Sequence, residues 1–567
     1  HEHYLPEYTF DQPVNAAAWQ AVTHTMHTSF APATQPYFRT EVPAVTETAD
    51  WKETGWKGER LNTMILVWAP DTVNQVRFTL HNLVNSKGAV LSKQSLQLQM
   101  VRYVISNYPY NDTNTTCGEP TYKNAFLFPD RFEDFDRFDV PAQTVRPVWL
   151  SVNIPAGTAP GTYKGDIEVM SEHQHTLLHV AITVQNKLLP SPHDWQHRLD
   201  LWQNPWVVAW YNHVKPWGEE HIAFLKKHLK LYADAGGTFI TTYAVHSPWS
   251  DNSYNIEETM IEWVKQANGT WQFDYSIFDK YVELCMQMGI DRAITIYTPI
   301  PWGNRFRYMD AATGNYVYET WPATSAAFKT AWDAFLTSLR THLQQKGWLN
   351  KTYLGINETT LDETLATIKV IKEHSAKWKI TYAGNWHKEL DTLLDDYSVL
   401  YGFEPPADAI KARAARGATT TYYVCCNPAK PNNFLFSPPD EGRWISWYTA
   451  ARGYNGFLRW AYDAWPADPL RDARHTLWPA GDCFLVYPGG ASCIRFEKLR
   501  EGIADYEKLR ILRQLASKST NGHVKELMGE LDAHLAQLAG EHDFKIEKIS
   551  ADIEKGKQLI NQLSDAL

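Results

Sequence analysis

The chain has 567 residues, of which 44% are hydrophobic and 21% charged, a composition typical of folded globular proteins. Its length exceeds what one ordinary core supports, so we expect two or three domains. The net charge of −10 is spread along the chain without a basic run, which argues against nucleic acid as a partner. No apolar run is long enough to span a membrane, and the sequence leaves the oligomeric state open.

The beginning of the chain and its cysteines bear on where the protein works. The first residue is His1 rather than methionine, and no basic-plus-apolar leader follows it. We therefore expect an exported protein, periplasmic or secreted, whose signal peptide has been removed. The six cysteines show no repeated CxxC spacing, so no metal site is predicted. Cys483 and Cys493 could pair in an oxidising compartment, but cysteine usage leaves both this pairing and the compartment open.

Residues 1–190 show the pattern of short strands and turns. Segments such as "TMILVWAP", "VNQVRFTL" and "TLLHVAITVQ" carry alternating or β-branched apolar positions, and turn-rich stretches such as "PAGTAPG" separate them. Amphipathic helix patterns are scarce in this part of the chain. An N-terminal β-sandwich domain is therefore predicted.

Residues 196–495 show strands alternating with helices. Eight strand candidates with intervening helices are close to the size of a (β/α)₈ barrel of the TIM type. A doubly wound sheet is the alternative, but no GxGxxG motif follows the first strand, and no phosphate cradle or cofactor is predicted. Residues 496–567 carry helical repeats of Leu, Ile and Ala, which predict a C-terminal helical appendage packed on the barrel.

Aromatic residues are unusually abundant, with 24 Trp, 29 Tyr and 23 Phe. Most of them are explained by a buried core. Several, however, stand beside Pro, Gly or Asn at the ends of elements, as in "QNPW", "HSPW", "PIPW", "GNWH" and "YDAW". Because binding residues concentrate on loops and flat aromatic faces suit the C–H faces of sugars, this placement indicates a carbohydrate site.

Two acidic pairs lie close together in "KTYLGINETTLDET", residues 351–364. Asp362 and Glu363 fall in the first turn of a predicted helix, where Thr360 and Glu363 fit a capping box, so their charges have a structural explanation. Asn357 and Glu358 directly follow the strand "TYLGI", where barrel enzymes place their catalytic groups. A strand-end salt bridge is the structural alternative for Glu358, but we predict that this pair is catalytic.

Other polar and aromatic residues also follow predicted barrel strands. Asn204, His246, Asn385, Glu404, Asn427 and Asp463 come after the first, second, fifth, sixth, seventh and eighth strands. A single polar residue at such a position more often makes a structural hydrogen bond than binds a ligand. Tyrosines such as Tyr243 can simply fill the barrel interior. The predicted substrate-binding residues are Trp202, His246, Tyr297, Trp302, Asn385, Trp386, Trp460, Tyr462 and Trp465.

Several kinds of hydrolytic chemistry lack their motifs. Ser/His/Asp hydrolysis has no GxSxG support, and metal-dependent hydrolysis lacks an HExxH motif. Glycosidic cleavage by carboxylates remains and fits an aromatic barrel mouth.

Long segments of the chain resemble a known family. "IPAGTAPGTYKGDIEV", "GYNGFLRWAYDAWPADPLRD" and "GDCFLVYPGGASCIRFEKLREGIADYEKLRIL" resemble glycoside hydrolase family 123, over nearly the whole chain. The resemblance implies a β-sandwich followed by a (β/α)₈ barrel, and an exported bacterial β-N-acetylgalactosaminidase acting on glycans that contain β-linked N-acetylgalactosamine. It further implies substrate-assisted catalysis by an Asp-Glu pair, in which Glu358 matches the general acid/base and Asn357 matches the Asp position.

The amide at position 357 is a departure from the family pattern. Asn357 can accept the acetamido N–H through its carbonyl oxygen but cannot supply a full negative charge. A natural variant, a deliberately weakened enzyme and a lineage that binds more than it hydrolyses remain open explanations. Two other readings also stay open: a glycosidase that pairs Glu358 with Glu404 or Asp463, and a non-catalytic glycan-binding protein.

Overall fold

The computed structural model describes residues 4–10, 12–250, 257–540 and 542–567. These residues form an N-terminal β domain, a parallel barrel with a small inserted sheet, and a group of C-terminal helices. The predicted multidomain class, β followed by α/β, is confirmed. The domain boundaries drawn from the sequence stay predictions.

The N-terminal β domain consists of two sheets with a shared apolar core. Its first sheet has the order β1-β3-β10-β7-β8, and its second has the path β2-β12-β11-β4-β9. The core between them takes alternate residues of each sheet, as the two-residue period of strands requires. The elements are α1 (Ala16–Gln20), β1 (His27–Ala31), β2 (Asp50–Lys57), β3 (Arg60–Ala69), β4 (Val73–Leu80), β5 (Leu83–Val84), β6 (Val90–Leu91), β7 (Leu96–Ser106), β8 (Phe126–Glu133), β9 (Phe138–Val140), β10 (Thr144–Asn153), β11 (Gly161–Met170) and β12 (His175–Leu188).

The middle of the chain alternates strands and helices, as predicted. Its elements are β13 (Arg198–Leu201), α2 (Pro205–Asn212), α3 (Glu219–Asp234), β14 (Phe239–Tyr243), β15 (Glu262–Lys265), β16 (Trp271–Asp274), α4 (Ser276–Gln287), β17 (Ala293–Tyr297), β18 (Arg305–Asp310), β19 (Asn315–Thr320), α5 (Ala326–Lys346), β20 (Thr352–Ile356), α6 (Leu361–His374), β21 (Lys379–Gly384), β22 (Asp396–Leu400), α7 (Ala407–Ala415), β23 (Thr419–Tyr423), α8 (Pro439–Arg452) and β24 (Gly456–Arg459).

The described residues of this region include an eight-stranded parallel sheet that curls into a nearly closed barrel. Its strand order is β13-β24-β23-β22-β21-β20-β17-β14. The two outer strands meet where Thr238 N–H donates to the Leu199 carbonyl at 2.9 Å, beside a parallel bridge from Leu199 to Gly237. This topology is compatible with the predicted TIM type, whose functional groups lie at the carboxyl ends of the strands. We call that end of the barrel the mouth.

A second small sheet, which the sequence analysis did not predict, is inserted at one side of the mouth. Its order is β16-β15-β18-β19, and its strands come from the segments that follow β14 and β17. Phe306 and Tyr308 of β18 are buried on its inner side, where Phe306 stacks on Trp321 with ring centroids 4.8 Å apart. The insertion therefore has one face fixed to the barrel and one face free to meet solvent.

The C-terminal helices bridge the two larger parts of the molecule. The elements are α9 (Ile494–Ser517), α10 (Gly522–Leu538) and α11 (Ile546–Ala566). The carboxylate of Asp505 in α9 forms an ion pair with the guanidinium of Arg443 in α8 at 2.7 Å. Arg495 of α9 forms another with Asp130 of β8 at 2.9 Å. Both ion pairs are largely buried, so breaking either one leaves an uncompensated charge. No helix of the described residues is long and apolar enough to span a membrane.

A disulfide joins the β domain to the mouth of the barrel. Cys117, in the segment between β7 and β8, is bonded to Cys426, which follows β23. The pairing of Cys483 with Cys493, which the sequence left open, does not form, and both are buried free thiols. The same β-domain segment is packed on the barrel by Tyr108, whose ring stacks on Phe436 at 5.0 Å.

Loss of this disulfide is expected to destabilise the protein and loosen the mouth. The bond closes a loop with a sequence separation of 309 residues. Replacing Cys117 with serine should therefore lower the free energy of unfolding by about 2–5 kcal/mol, the usual range for a native disulfide. Because Cys426 adjoins the mouth, KM for a glycan substrate should rise more than kcat falls.

Denaturant unfolding and steady-state kinetics, each with and without a reductant, check this expectation. The Cys117→Ser variant is the matched control, since the reductant should change the unmodified protein and leave that variant as it was. Equal unfolding midpoints for the oxidised and reduced protein would contradict the assignment of this bond.

Candidate active site

The carboxyl end of β20 places two polar residues at the mouth. Asn357 and Glu358 directly follow this strand, before α6 begins. The hydroxyl of Thr360 accepts the backbone N–H of Glu363 at 3.3 Å, and Asp362 and Glu363 lie in the first turn of α6. Thr360 is confirmed as the helix N-cap, whereas the Glu363 carboxylate accepts the Thr359 hydroxyl and does not close a capping box, so the Asp362-Glu363 pair belongs to the start of a helix.

Asn357 is a buried amide with one unused acceptor. Its side chain is only 1% exposed, and its Nδ2 donates to the Pro248 carbonyl at 2.9 Å. Its Oδ1 is buried and has no hydrogen-bond partner among the described residues. An orphaned buried acceptor costs free energy, which a ligand N–H would recover. The Pro248 contact fixes the orientation of the amide, so the acceptor is held in place.

Glu358 is accessible to solvent, and its own backbone is tied to a tryptophan. The indole N–H of Trp302 donates to the Glu358 carbonyl at 3.2 Å. Although the side chain is reachable from solvent, the surrounding protein removes enough water that burial raises its pKa above the usual value. No charged group shares in raising that pKa. A carboxyl group with a raised pKa is suited to donating a proton.

The negative charge of Glu358 acts on three neighbouring side chains from the other strand ends. Burial, together with that charge, raises the pKa of Tyr382 to about 12. The pKa of Tyr423 is raised for the same two reasons, and that of Cys425 rises to about 12 mainly through burial. The Tyr423 hydroxyl is another buried group without a hydrogen-bond partner among the described residues. These residues therefore surround Glu358 on the β21 and β23 side.

Closely packed aromatic rings form a floor beside this group. Trp202 lies 5.2 Å from Trp249 and 4.9 Å from Tyr297, measured between ring centroids, and Trp249 lies 5.0 Å from Tyr297. Trp202 and Cys425 both pack against a small buried cluster that contains Tyr423. The floor is thus continuous with the surroundings of Glu358, and Trp302, which is 37% exposed, stands at the rim. Such a surface suits the apolar face of a sugar ring.

Other carboxylates at the strand ends are engaged in structural contacts. Both carboxylate oxygens of Glu404 accept hydrogen bonds from Tyr448 at 2.9 Å, and Tyr454 donates to the same group at 2.7 Å. Asp463 is 1% exposed and accepts the backbone N–H of Asn204 at 2.9 Å. Neither group is free to act as the partner of Glu358 in a scheme with two protein carboxylates.

Some predicted binding residues are at the mouth and others are in the core. Tyr462 and Trp465 are fully buried, and they donate to the carbonyls of His228 at 2.7 Å and Val486 at 2.8 Å. They therefore fill the core instead of facing a ligand. Trp460 packs on Trp478, with ring centroids 5.9 Å apart.

The remaining predicted residues lie on either side of Glu358. Asn385 and Trp386 follow β21 and are half-buried, and the Trp386 indole donates to Asp391 at 3.0 Å. His246 follows β14 and lies 3.7 Å from Glu258. Sequence reasoning missed Trp249, Tyr382, Tyr423 and Cys425. Of these only Trp249 had a signal, since the "HSPW" stretch stands beyond a barrel strand.

The side chains at the mouth define what chemistry it can perform. Among the described ranges, no group of three or more His, Cys, Asp or Glu side chains is arranged to hold a metal ion. At the end of β20 the geometry presents an accessible carboxyl, Glu358, beside the buried amide of Asn357. A parallel barrel with a carboxyl group and aromatic rings at its mouth is typical of glycoside hydrolases.

Comparison with known proteins identifies the family. The profile of "Glycoside hydrolase 123, catalytic domain" matches residues 202–512, over half of the chain, and that of "Glycoside hydrolase 123 N-terminal domain" matches residues 30–171. The chain belongs to glycoside hydrolase family 123, as its sequence resemblance implied. No curated protein matches it.

One solved structure agrees with this identification. A family 123 glycoside hydrolase from Clostridium perfringens, described in a study of glycolipid glycan hydrolysis, superposes with a TM-score of 0.85 at 26% identity. The match covers 95% of this chain and 98% of that one. A GH10 xylanase from termite gut is 13% identical over 64% of this chain and 90% of that chain, with a TM-score of only 0.31.

Proposed function

We propose that this family 123 hydrolase is an exported enzyme that releases β-linked N-acetylgalactosamine from glycans by substrate-assisted, retaining catalysis. The observation that carries the proposal is the pair at the end of β20, where the unpartnered Oδ1 of Asn357 lies next to Glu358. One residue of the pair offers a fixed acceptor and the other a titratable acid. The proposed architecture is a β-sandwich followed by a (β/α)₈ barrel.

In the first step the 2-acetamido oxygen of the substrate attacks the anomeric carbon. The bond to the leaving oxygen breaks as Glu358 donates its proton to that oxygen, and an oxazolinium-like intermediate forms. Asn357 Oδ1 accepts the acetamido N–H and so holds the acetamido group in the attacking orientation. In the second step the Glu358 carboxylate takes a proton from water, whose oxygen attacks the anomeric carbon and opens the ring. The configuration is retained because inversion occurs twice.

The contacts of the other strand-end carboxylates support a mechanism that uses one protein carboxylate. Glu404 accepts hydrogen bonds from tyrosine hydroxyls, and Asp463 accepts one from a backbone N–H, so both carboxylates stabilise the fold. A substrate that carries its own nucleophile needs no second carboxylate from the protein. The aromatic floor and Trp302 supply stacking surfaces for the sugar.

The amide at position 357 weakens the proposed reaction without abolishing it. The acetamido nitrogen gains positive charge as the oxazolinium ion forms, and a neutral oxygen stabilises that charge less than a carboxylate does. The absence of a neighbouring carboxylate also leaves burial as the cause of the raised Glu358 pKa. We therefore propose a slow enzyme with an intact geometry.

Two observations support the proposed export of the enzyme and its action on glycans. The Cys117–Cys426 disulfide is typical of proteins that work in an oxidising compartment, which agrees with export. The C. perfringens relative is described as acting on the glycan of a glycolipid, which suggests complex glycans as the natural substrates here.

Release of a chromogenic phenol from an aryl β-N-acetylgalactosaminide tests the function. The proposal expects turnover of this substrate and little or none of the matching β-galactoside, which lacks the acetamido group. Comparable rates on the two substrates would instead support a scheme with two protein carboxylates. Saturable binding without any turnover would identify a glycan-binding protein.

The rate is expected to depend on pH through Glu358. The group must be protonated to act as an acid, so the first step is fastest below its pKa and slows as the pH rises through it. Burial raises that pKa. The pH at the midpoint of the alkaline limb should therefore be higher than the usual pKa of glutamic acid, about 4.3.

A pH–rate profile with a sugar leaving group checks this limb. A dinitrophenyl leaving group, which departs without a proton, is the matched control and should show a flatter alkaline side. Identical profiles for the two leaving groups would exclude Glu358 as the general acid.

A further inference from the structure

The outer face of the inserted sheet carries arginine and tyrosine side chains in an ordered pattern. Residues that face each other across an antiparallel pair point to the same side, and Arg307 pairs with Tyr318 while Met309 pairs with Tyr316. Alternate residues of β18 are buried on the inner side. We call this outer surface the basic-aromatic face, formed by Arg305, Arg307, Tyr316 and Tyr318.

Each arginine of this face lies flat against a tyrosine. The Arg305 guanidinium is 4.3 Å from the ring centre of Tyr318, and that of Arg307 is 4.1 Å from the ring centre of Tyr316. Tyr316 and Tyr318 are 45% and 46% exposed. Stacking covers the flat side of a guanidinium and leaves its N–H edge for a planar anion such as a carboxylate.

The basic-aromatic face is continuous with the catalytic mouth. Trp302, whose indole bonds the Glu358 carbonyl, opens the short turn that leads directly into β18 and Arg305. On the other side, the ring of His246, which follows β14, lies 6.3 Å from Tyr318. A glycan leaving the Glu358 site on this side would therefore run along the inserted sheet.

The two arginines of this face differ in their carboxylate neighbours. Arg307 lies 3.6 Å from Glu258 and 4.0 Å from Glu262, which neutralise it. His246 also faces Glu258, at 3.7 Å. By contrast, Arg305 is exposed and forms no ion pair with any carboxylate of the described residues. The guanidinium of Arg305 therefore has no carboxylate partner within the described residues, and its N–H edge can take one from a ligand.

We propose that the basic-aromatic face binds the part of the glycan beyond the released sugar, and that it takes a sugar bearing a carboxylate. Arg305 donates two parallel hydrogen bonds to that carboxylate, and the exposed tyrosines contact the sugar ring. The inference deepens the proposed function, on which it rests for the identity of the released sugar. The binding itself does not depend on turnover.

A binding measurement separates this inference from the proposed function. Lactose and its sialylated form, which adds one carboxylated sugar, are titrated into the full-length Glu358→Gln variant at low ionic strength. The same titrations are made with two double variants, in which Glu358→Gln is combined either with Arg305→Met, which keeps an apolar side chain, or with Arg77→Met. Arg77 is the matched control, since it is an exposed arginine on β4 of the β domain.

We expect sialylated lactose to bind more tightly than lactose, and Arg305→Met to weaken only the acidic ligand, by about tenfold. Added salt should reduce the same preference. Arg77→Met should preserve it. Equal binding of the two ligands, or an acidic preference that survives Arg305→Met, would overturn the inference.

A kinetic arm uses the active enzyme. The ratio of kcat/KM for glycans with and without the carboxylated sugar, each normalised to the aryl substrate, should fall with Arg305→Met. If the aryl substrate is not turned over at all, the proposed function fails, while the titrations still decide whether the acidic sugar binds here.

Discussion

Replacing Glu358 with glutamine is expected to reduce release of N-acetylgalactosamine from a glycan by about 10²–10⁴-fold, the usual contribution of a general acid/base. Glutamine keeps the size and polarity of the side chain but can neither donate the proton to the leaving oxygen nor accept one from water. Initial rates on a glycan substrate and on a dinitrophenyl glycoside measure the loss. The dinitrophenyl substrate should lose less in its first step, since that leaving group needs no proton.

Glu363→Gln is the matched control for this experiment. Glu363 lies five positions further along the chain, in the first turn of α6, where its carboxylate interacts with the hydroxyl of Thr359 and with the helix end. Its loss should affect stability by about 1 kcal/mol or less and leave the rate nearly unchanged. If Glu363→Gln lost as much activity as Glu358→Gln, the assignment of the catalytic pair would be wrong.

Replacing Asn357 with aspartate is expected to raise kcat, by about 10²-fold if the developing positive charge is the main deficit. A carboxylate at this buried position would stabilise the charged acetamido group and would also raise the pKa of Glu358 further. The change costs the hydrogen bond to the Pro248 carbonyl, since aspartate has no donor there. Steady-state kinetics on an aryl N-acetylgalactosaminide, together with a pH profile, measure both effects.

Asn357→Ala distinguishes orientation from charge. It removes the acceptor as well as the donor, so kcat should fall below that of the unmodified protein if Asn357 Oδ1 holds the acetamido group. An alanine variant as active as the asparagine form, together with an aspartate variant no faster, would show that position 357 takes no part in the reaction.

The catalytic pair was predictable because local patterns placed it. The apolar run "TYLGI" ends at Ile356, and the cap at Thr360 begins a helix, which leaves Asn357 and Glu358 in the short stretch between strand and helix. In a parallel barrel every segment that directly follows a strand lies at the mouth, so this placement needs no further information from the sequence. The cap accounted for Asp362 and Glu363 in the same way.

Other features depend on contacts that no local pattern contains. Cys117 and Cys426 are separated by 309 residues and meet only because a β-domain segment packs on the barrel. The sequence allowed the nearer cysteines Cys483 and Cys493 to pair, but the fold leaves both as buried free thiols. Sequence distance is therefore a poor guide to pairing across a domain interface.

The aromatic residues show a similar limit. Trp465 and Trp302 both stand just beyond a barrel strand, yet the first is 1% exposed in the core and the second is 37% exposed at the rim. Which side of the mouth a ring occupies depends on the packing of its whole segment. The inserted sheet was missed for a related reason, since its short strands lie within segments that read as connections between barrel elements.

The central claim is that the substrate's own acetamido oxygen is the nucleophile at the Asn357–Glu358 site. The most direct test is the rate on aryl N-acetylgalactosaminides whose acetyl group carries none, one, two or three fluorine atoms. Fluorine withdraws electrons from that oxygen, so the account predicts a steep fall in kcat/KM with each added atom. A rate that does not depend on the number of fluorine atoms would contradict it and point to a nucleophile supplied by the protein or by water.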